Sequence, residues 1–272
     1  MTNHALKLKN RTAIKLSGPD AKSLLQGLIT NDIKQLDGDS PLYAGLLSPQ
    51  GKYLFDFIVT QHGDDIYLDC EREHAPDLWR KLMMYKLRAD AVITDESDNV
   101  NVWAVWGDED ITGIIYQDPR HWKIGKRAIV KKGHNLIIPD DSSQPCDPLK
   151  QEKYDIERIT LGIPDGTRDI IADKNFWLEC RAEALNGVNF HKGCYIGQEQ
   201  TARMKHRATL KKSLVPVRVD GGAPEFGTEI KTSEGKKVGD IRSSQGDFAL
   251  AFIRLEHADT PIFAQDKAIT VL

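Results

Sequence analysis

The chain has 272 residues, enough to bury a substantial core and to form two domains or more. Its 40% apolar and 28% charged content is that of an ordinary globular protein. A net charge of −3 argues against wholesale nucleic-acid or membrane-surface binding, and no apolar run approaches the ~20 residues that span a bilayer.

The opening Met1-Thr2-Asn3-His4-Ala5-Leu6-Lys7 lacks the apolar centre of a secretory signal, which predicts a cytoplasmic protein. Ala5 to Leu16 reads as one strand. Ser17-Gly18-Pro19-Asp20 then reads as a helix start, with Ser17 as N-cap and Pro19 near the first helical position. Ala21, Leu24, Leu25 and Leu28 follow at one-face helical spacing, and Gln26-Gly27, Thr30, Asn31 and Asp32 close the helix. Tyr43–Leu47, Tyr53–Thr60 and Ile66–Cys70 read as strands. Ser48-Pro49-Gln50-Gly51 and His62-Gly63-Asp64-Asp65 are their turns.

An amphipathic helix is expected over Ala75–Lys86, with Leu78, Leu82 and Tyr85 on one side, then strands over Ala91–Thr94 and Val100–Trp106. Gln117-Asp118-Pro119-Arg120, followed by Lys123 to Arg127, reads as a turn into a solvated basic edge before the strand Ala128–Val130. The polar stretch 140–153 reads as a linker. A helix of about Glu152–Leu161 ends at Gly162-Ile163-Pro164. From Lys212 on the texture changes. Leu214–Val219, Thr228–Thr232, Lys236–Ser243, Asp247–Leu255 and Ala268–Leu272 are short strands punctuated by glycines, the pattern of a small barrel. The expectation is an α+β body over 1–212 and a C-terminal β-barrel over 213–272.

Of the four cysteines, Cys70 ends an apolar run and reads as core, Cys146 falls in the linker, and Cys180 stays open. No two are closer than 14 positions, and no spacing suits a zinc site or a resident iron–sulfur cluster, so no metal site is expected. Cys194 differs. It sits in Lys192-Gly193-Cys194-Tyr195-Ile196-Gly197-Gln198-Glu199, between glycines and beside a lysine. Such a bend can expose a cysteine, and a cationic neighbour favours its thiolate. A plain loop with a small residue is the bland alternative.

The octapeptide resembles the signature Lys-Gly-Cys-Tyr/Phe-x-Gly-Gln-Glu of the YgfZ family, folate-binding proteins of iron–sulfur cluster maintenance related to the T-protein (aminomethyltransferase) of the glycine cleavage system. Leu185 to Phe190 resembles the family's lead-in, and Ala202-Arg203 and His206-Arg207 its continuation. The resemblance also takes in Ser17 to Asp32 and Leu47-Ser48-Pro49-Gln50-Gly51-Lys52 through Asp56. It implies a T-protein-like folate-binding body with a C-terminal barrel, and tetrahydrofolate or a derivative as cofactor. Asp56 becomes the candidate pterin ligand, since a carboxylate accepts paired N–H bonds from an aminopyrimidine edge. Tyr195 and Arg203 join it on the folate side. The basic run from Arg203 to Lys212 is either a solvated face or an anchor for folate's anionic tail; without interleaved aromatics it does not resemble a nucleic-acid patch.

Three departures stand out. Arg158-Ile159-Thr160-Leu161-Gly162 has threonine where the T-protein carries a folate-contacting glutamate, the T-protein lacks the signature cysteine, and Arg181-Ala182-Glu183 replaces a common Asn-x-Asp. The leading expectation is a folate-binding accessory factor that supports assembly or repair of iron–sulfur clusters in other enzymes. It would act through Cys194, with Lys192 favouring the thiolate and Gln198 and Glu199 positioning the loop; its partners are iron–sulfur enzymes or cluster-assembly proteins. A tetrahydrofolate-dependent one-carbon (aminomethyl or methyl) transferase or demethylase is the alternative. A cysteine hydrolase or acyl transferase with His191 or His206 as base is the third class.

Overall fold

The computed structural model describes residues 4–38, 40–107, 112–133, 148–207 and 210–272. Cys146 and the greater part of the expected linker lie outside these residues, as do Ala208 and Thr209 of the basic run.

The first expected strand is two. β1 (His4–Lys7) and β2 (Arg11–Ser17) are separated by a turn closed by the Arg11 amide on the Leu8 carbonyl at 3.1 Å. The break sends the two halves to different sheets. β2 lies inside a five-stranded antiparallel sheet with β3 (Leu42–Leu47), β4 (Tyr53–His62), β5 (Asp65–Glu71) and β6 (Val92–Asp95), in the order β3-β4-β5-β2-β6. β1 edges a four-stranded sheet with β7 (Val100–Trp106), β8 (Ile114–Gln117) and β9 (Lys126–Lys131), in the order β1-β7-β9-β8. Between β3 and β4 the Ser48-Pro49-Gln50-Gly51 turn forms as expected, with the Ser48 amide on the Lys52 carbonyl at 2.8 Å.

α1 (Ala21–Leu28) starts later than the sequence suggests. Ser17 belongs to β2, and Asp20, at the helix start, spends its carboxylate on the Asp90 amide at 2.8 Å instead of on the helix. α2 (Ala75–Lys86) has the expected bounds and buries Leu78 and Leu82. Both helices lie over one face of the five-stranded sheet, where Leu25, Leu28, Leu78 and Leu82 meet Phe57, Val59 and Leu68 in one apolar cluster.

The opposite face carries the main core. Trp177, in a 3-10 turn over Trp177–Cys180, is buried against Tyr43 and Tyr53, with ring centroids 5.5 and 5.7 Å away. α3 (Pro148–Thr160) begins inside the stretch read as linker, and α4 (Gly166–Asp169) and α5 (Gln198–Arg207) follow it. The C-terminal strands β10 (Lys212–Val219), β11 (Glu229–Thr232), β12 (Lys237–Gln245), β13 (Phe248–Arg254), β14 (Ile262–Ala264) and β15 (Lys267–Val271) close into a barrel in the order β10-β13-β12-β11-β14-β15. The three-residue β14 is the strand that sequence reading missed there.

Arg158 of α3 fastens barrel to body. It is fully buried, pairs with Asp155 at 2.6 Å and Asp169 at 2.9 Å, and donates to the Ser243 hydroxyl of β12 at 2.8 Å; the Ser243 amide returns a bond to Asp169. The basic edge expected after Asp118 is corrected in part. Arg120 and Arg127 are buried, both pair with Asp118, and Arg127 continues to Asp69 at 2.9 Å, which Arg11 holds at 2.8 Å. Two guanidiniums hold the Asp118 carboxyl well below the usual range against its burial.

Candidate functional site: an exposed cysteine on a pinned loop

The signature loop is fixed from the end of α1. Beyond Leu28 the chain turns away, leaving carbonyls at the helix C-terminus without intrahelical partners. Lys192 supplies the donors: its Nζ bonds the carbonyls of Gln26, Ile29 and Asn31 at 2.8, 2.6 and 2.8 Å. A cation there also meets the negative end of the helix dipole. The side chain is buried, its Nζ lies 5.1 Å from the Tyr195 ring centroid, and burial pushes its pKa down, to about 8, against the pull of Asp32. All three ammonium protons are thus committed to carbonyls. The geometry of Lys192 is that of a staple.

The residues before and after are held as firmly. Asn189 Oδ1 accepts the amides of His191 and Lys192 at 2.8 and 3.1 Å, an Asx turn. Thr30 Oγ1 donates to the Gly187 carbonyl at 2.6 Å, and Asn31 Nδ2 donates to the carbonyls of Tyr43 and Asn186, both at 2.8 Å. Tyr195 is buried, and Ile196 packs against the apolar cluster beneath α1 and α2. Gly197, at φ +83°, rests on the β3–β4 hairpin so closely that a Cβ would stand 2.7 Å from the Ser48 carbonyl oxygen. Gly193 and Cys194 are exposed between these anchors. Cys70 and Cys180 are buried, and burial raises both thiols.

Gln198 opens α5, and Glu199 pairs with Arg203 at the surface at 2.7 Å. Neither His191 nor His206 meets Cys194 in a hydrogen bond among the described residues; His206 stands edge-on to Phe190 with centroids 6.5 Å apart. Beside the loop opens a cleft of about 350 Å³ lined by Asn31, Tyr43, Pro119, Asn186, Phe190 and His191. A larger opening of about 1020 Å³ lies at the far end of the sheet, by Lys15, His62 and Asp65, away from the signature.

Asp56 is not at this surface. It is 3% exposed, and its two oxygens accept the hydroxyls of Tyr43 at 3.0 Å and Tyr53 at 2.7 Å. The crevice beside it has no room for a water molecule. In this structure the candidate pterin ligand Asp56 has both carboxylate oxygens taken by phenols. The structure therefore separates the expected site residues: Cys194, Lys192, Tyr195, Gln198, Glu199 and Arg203 share the loop and α5, while Asp56 belongs to the core. The motif does not mark the supports Gln26, Asn189 and Tyr53, whose contacts arise only in the folded chain.

Two family models match the chain: the GCVT N-terminal domain over residues 7–109 and the CAF17 C-terminal beta-barrel domain over 211–272. The mitochondrial iron–sulfur cluster assembly factor IBA57 of Mus musculus is 31% identical over 94% of this chain and 79% of its own length. The chain belongs to the IBA57 family. Human IBA57 is 29% identical over the same shares, 94% and 79%. Glycine cleavage system aminomethyltransferase T from Bartonella henselae superposes with a TM-score of 0.77 over 99% of this chain and 85% of its own at 14% identity, a likeness of fold. The YgfZ resemblance is thereby restated as membership of the IBA57 family, iron–sulfur cluster assembly factors on an aminomethyltransferase-like fold. The cytoplasmic expectation is overturned: these IBA57 relatives are mitochondrial. A polar opening excludes a secretory signal only.

Proposed function

We propose that this protein supports iron–sulfur cluster assembly or repair in other proteins through the Cys194 thiol. The observation that carries the reading is the placement of Cys194, the exposed cysteine among the described residues, on a loop fixed at Lys192, Tyr195 and Gly197. Clusters are held by several thiolates. One thiol on one chain can contribute a single ligand or attack a single sulfur, so the chemistry is completed by a partner: a cluster-assembly protein or a recipient enzyme. Rigid presentation lowers the entropy cost of that encounter. Gln198 and Glu199, opening α5 directly after the loop, lie where such a partner would approach.

The one-carbon transferase reading lacks this support. Thr160 stands where the T-protein's folate-contacting glutamate would be, and its hydroxyl bonds its own helix at the Ile156 and Glu157 carbonyls. Reduced folate remains an expectation of the sequence resemblance and of the fold, and the surroundings of Asp56 do not favour it.

The test is complementation. In cells lacking the gene, activities of several four-iron enzymes are compared with wild type, Cys194→Ala and Cys194→Ser restored. Wild type restores them and neither variant does. Full rescue by Cys194→Ala ends the thiol role.

A further inference from the structure

The fold is shared with an aminomethyltransferase, and the resemblance puts a pterin on Asp56. The question is whether this chain leaves space for one. A pterin edge needs the carboxylate's two oxygens side by side and a flat slot in front of them. Here each oxygen already accepts one phenol, Oδ1 from Tyr53 at 2.7 Å and Oδ2 from Tyr43 at 3.0 Å. Burial beside the carboxylate raises both phenols far above their usual range, so both remain donors.

The Tyr53 ring occupies the slot. It is fully buried and stacks on Trp177 with centroids 5.7 Å apart and planes 22° apart. Trp177 is itself held by its indole N–H on the Gly187 carbonyl at 2.9 Å. The other wall is the backbone of Gly166, so near that a Cβ there would stand 2.4 Å from both Asp56 Oδ1 and the Tyr53 hydroxyl. A position that excludes even a methyl group excludes a bicyclic ring.

Tyr53 also has little freedom to leave. Its amide donates to the Asn175 carbonyl and its carbonyl accepts from the Asp173 amide, both at 2.9 Å. The ring could move only by opening a core of close-packed aromatic side chains. The second folate anchor implied by the resemblance is missing as well, since Thr160 is turned back onto α3.

We propose that Tyr53 is a built-in occupant of the pterin seat, and that it sets this protein against binding reduced folate. Iron–sulfur assembly by this chain then proceeds without the cofactor its fold suggests. The inference stands apart from the role of Cys194, and a binding assay separates the two.

The experiment titrates the purified full chain with 5-formyltetrahydrofolate, a reduced folate stable to air, by isothermal calorimetry. Wild type and Tyr53→Phe, which keeps the ring, show no saturable binding up to about 1 mM. Tyr53→Val, which vacates the slot and frees Asp56 Oδ1, gains affinity by ~10-fold or more. Saturable wild-type binding below about 10 μM overturns the proposal, as does a folded Tyr53→Val protein with no gain. If Tyr53→Val does not fold, wild type decides alone on the same threshold.

Discussion

Replacing Lys192 by methionine separates a staple from a chemical group. The change keeps the aliphatic stem and deletes the ammonium, leaving the carbonyls of Gln26, Ile29 and Asn31 without the donor that reached them at 2.6 to 2.8 Å. Bonds from a charged donor contribute roughly 1.5–3 kcal/mol each. Against their sum stands the cost of burying an ammonium, several kcal/mol, which is no longer incurred in the variant. The balance is a net loss of roughly 3 kcal/mol. For a chain of this size that corresponds to a melting temperature lower by about 6–12 °C. Differential scanning calorimetry at pH 7 measures it, with Cys194→Ala as the control that leaves the staple intact. A Lys192→Met protein that melts within about 1 °C of wild type, yet shows Cys194 alkylated several-fold more slowly, would refute the staple and restore the lysine to the thiol.

Cys194→Ala, exposed and without a packing role, leaves the melting temperature within about 2 °C of wild type while failing in complementation; a large thermal loss would mean the loop needs the sulfur for its fold. Arg127→Met leaves Asp118 and Asp69 short of a buried partner and costs roughly 3–5 kcal/mol by urea denaturation, and a loss under about 1 kcal/mol would show that the network relaxes or admits water. Glu71 gives a pH signature. Burial, with Asp165 and Asp56 nearby, outweighs Arg11 and raises its carboxyl from 4.5 to about 7. The folded state therefore holds a proton that the unfolded state releases between those values. The associated stability is complete below 4.5 and is lost as pH rises through 7, with a slope of up to about 1.4 kcal/mol per pH unit. Glu71→Gln flattens this between pH 5 and 7.5; an unchanged profile would place the proton on another group.

The sequence is most legible where one local signal suffices. Proline and glycine mark the β3–β4 turn, and a one-sided row of leucines marks α2. The break between β1 and β2 carries no such mark, because Leu8-Lys9-Asn10 holds neither glycine nor proline and reads as a continuing strand. β14 is too short for any alternation to register. Arg120 and Arg127 read as solvated because arginine is mostly exposed; both are buried on Asp118, and Arg127 also on Asp69, far away in sequence. The motif marks the Cys194 loop, yet it is silent on where the lysine points. Asp56 shows the same limit from the other side: a carboxylate is visible in a sequence, whereas the phenol of Tyr53 closing over it is a matter of rotamer and packing.

The bond from Arg158 to Ser243 reaches further than the two residues it joins. A chain cut near residue 212 looks from its sequence like a complete body without an appendage. Such a fragment would keep three carboxylates gathered around Arg158 while losing the hydroxyl that takes its last donor and the amide that occupies Asp169. The barrel thus acts as the lid of a charge box built by α3 and α4. Opening the lid exposes the box, so damage to a barrel strand at Ser243 is felt by α3 and α4, the helices that hold Arg158 and Asp169.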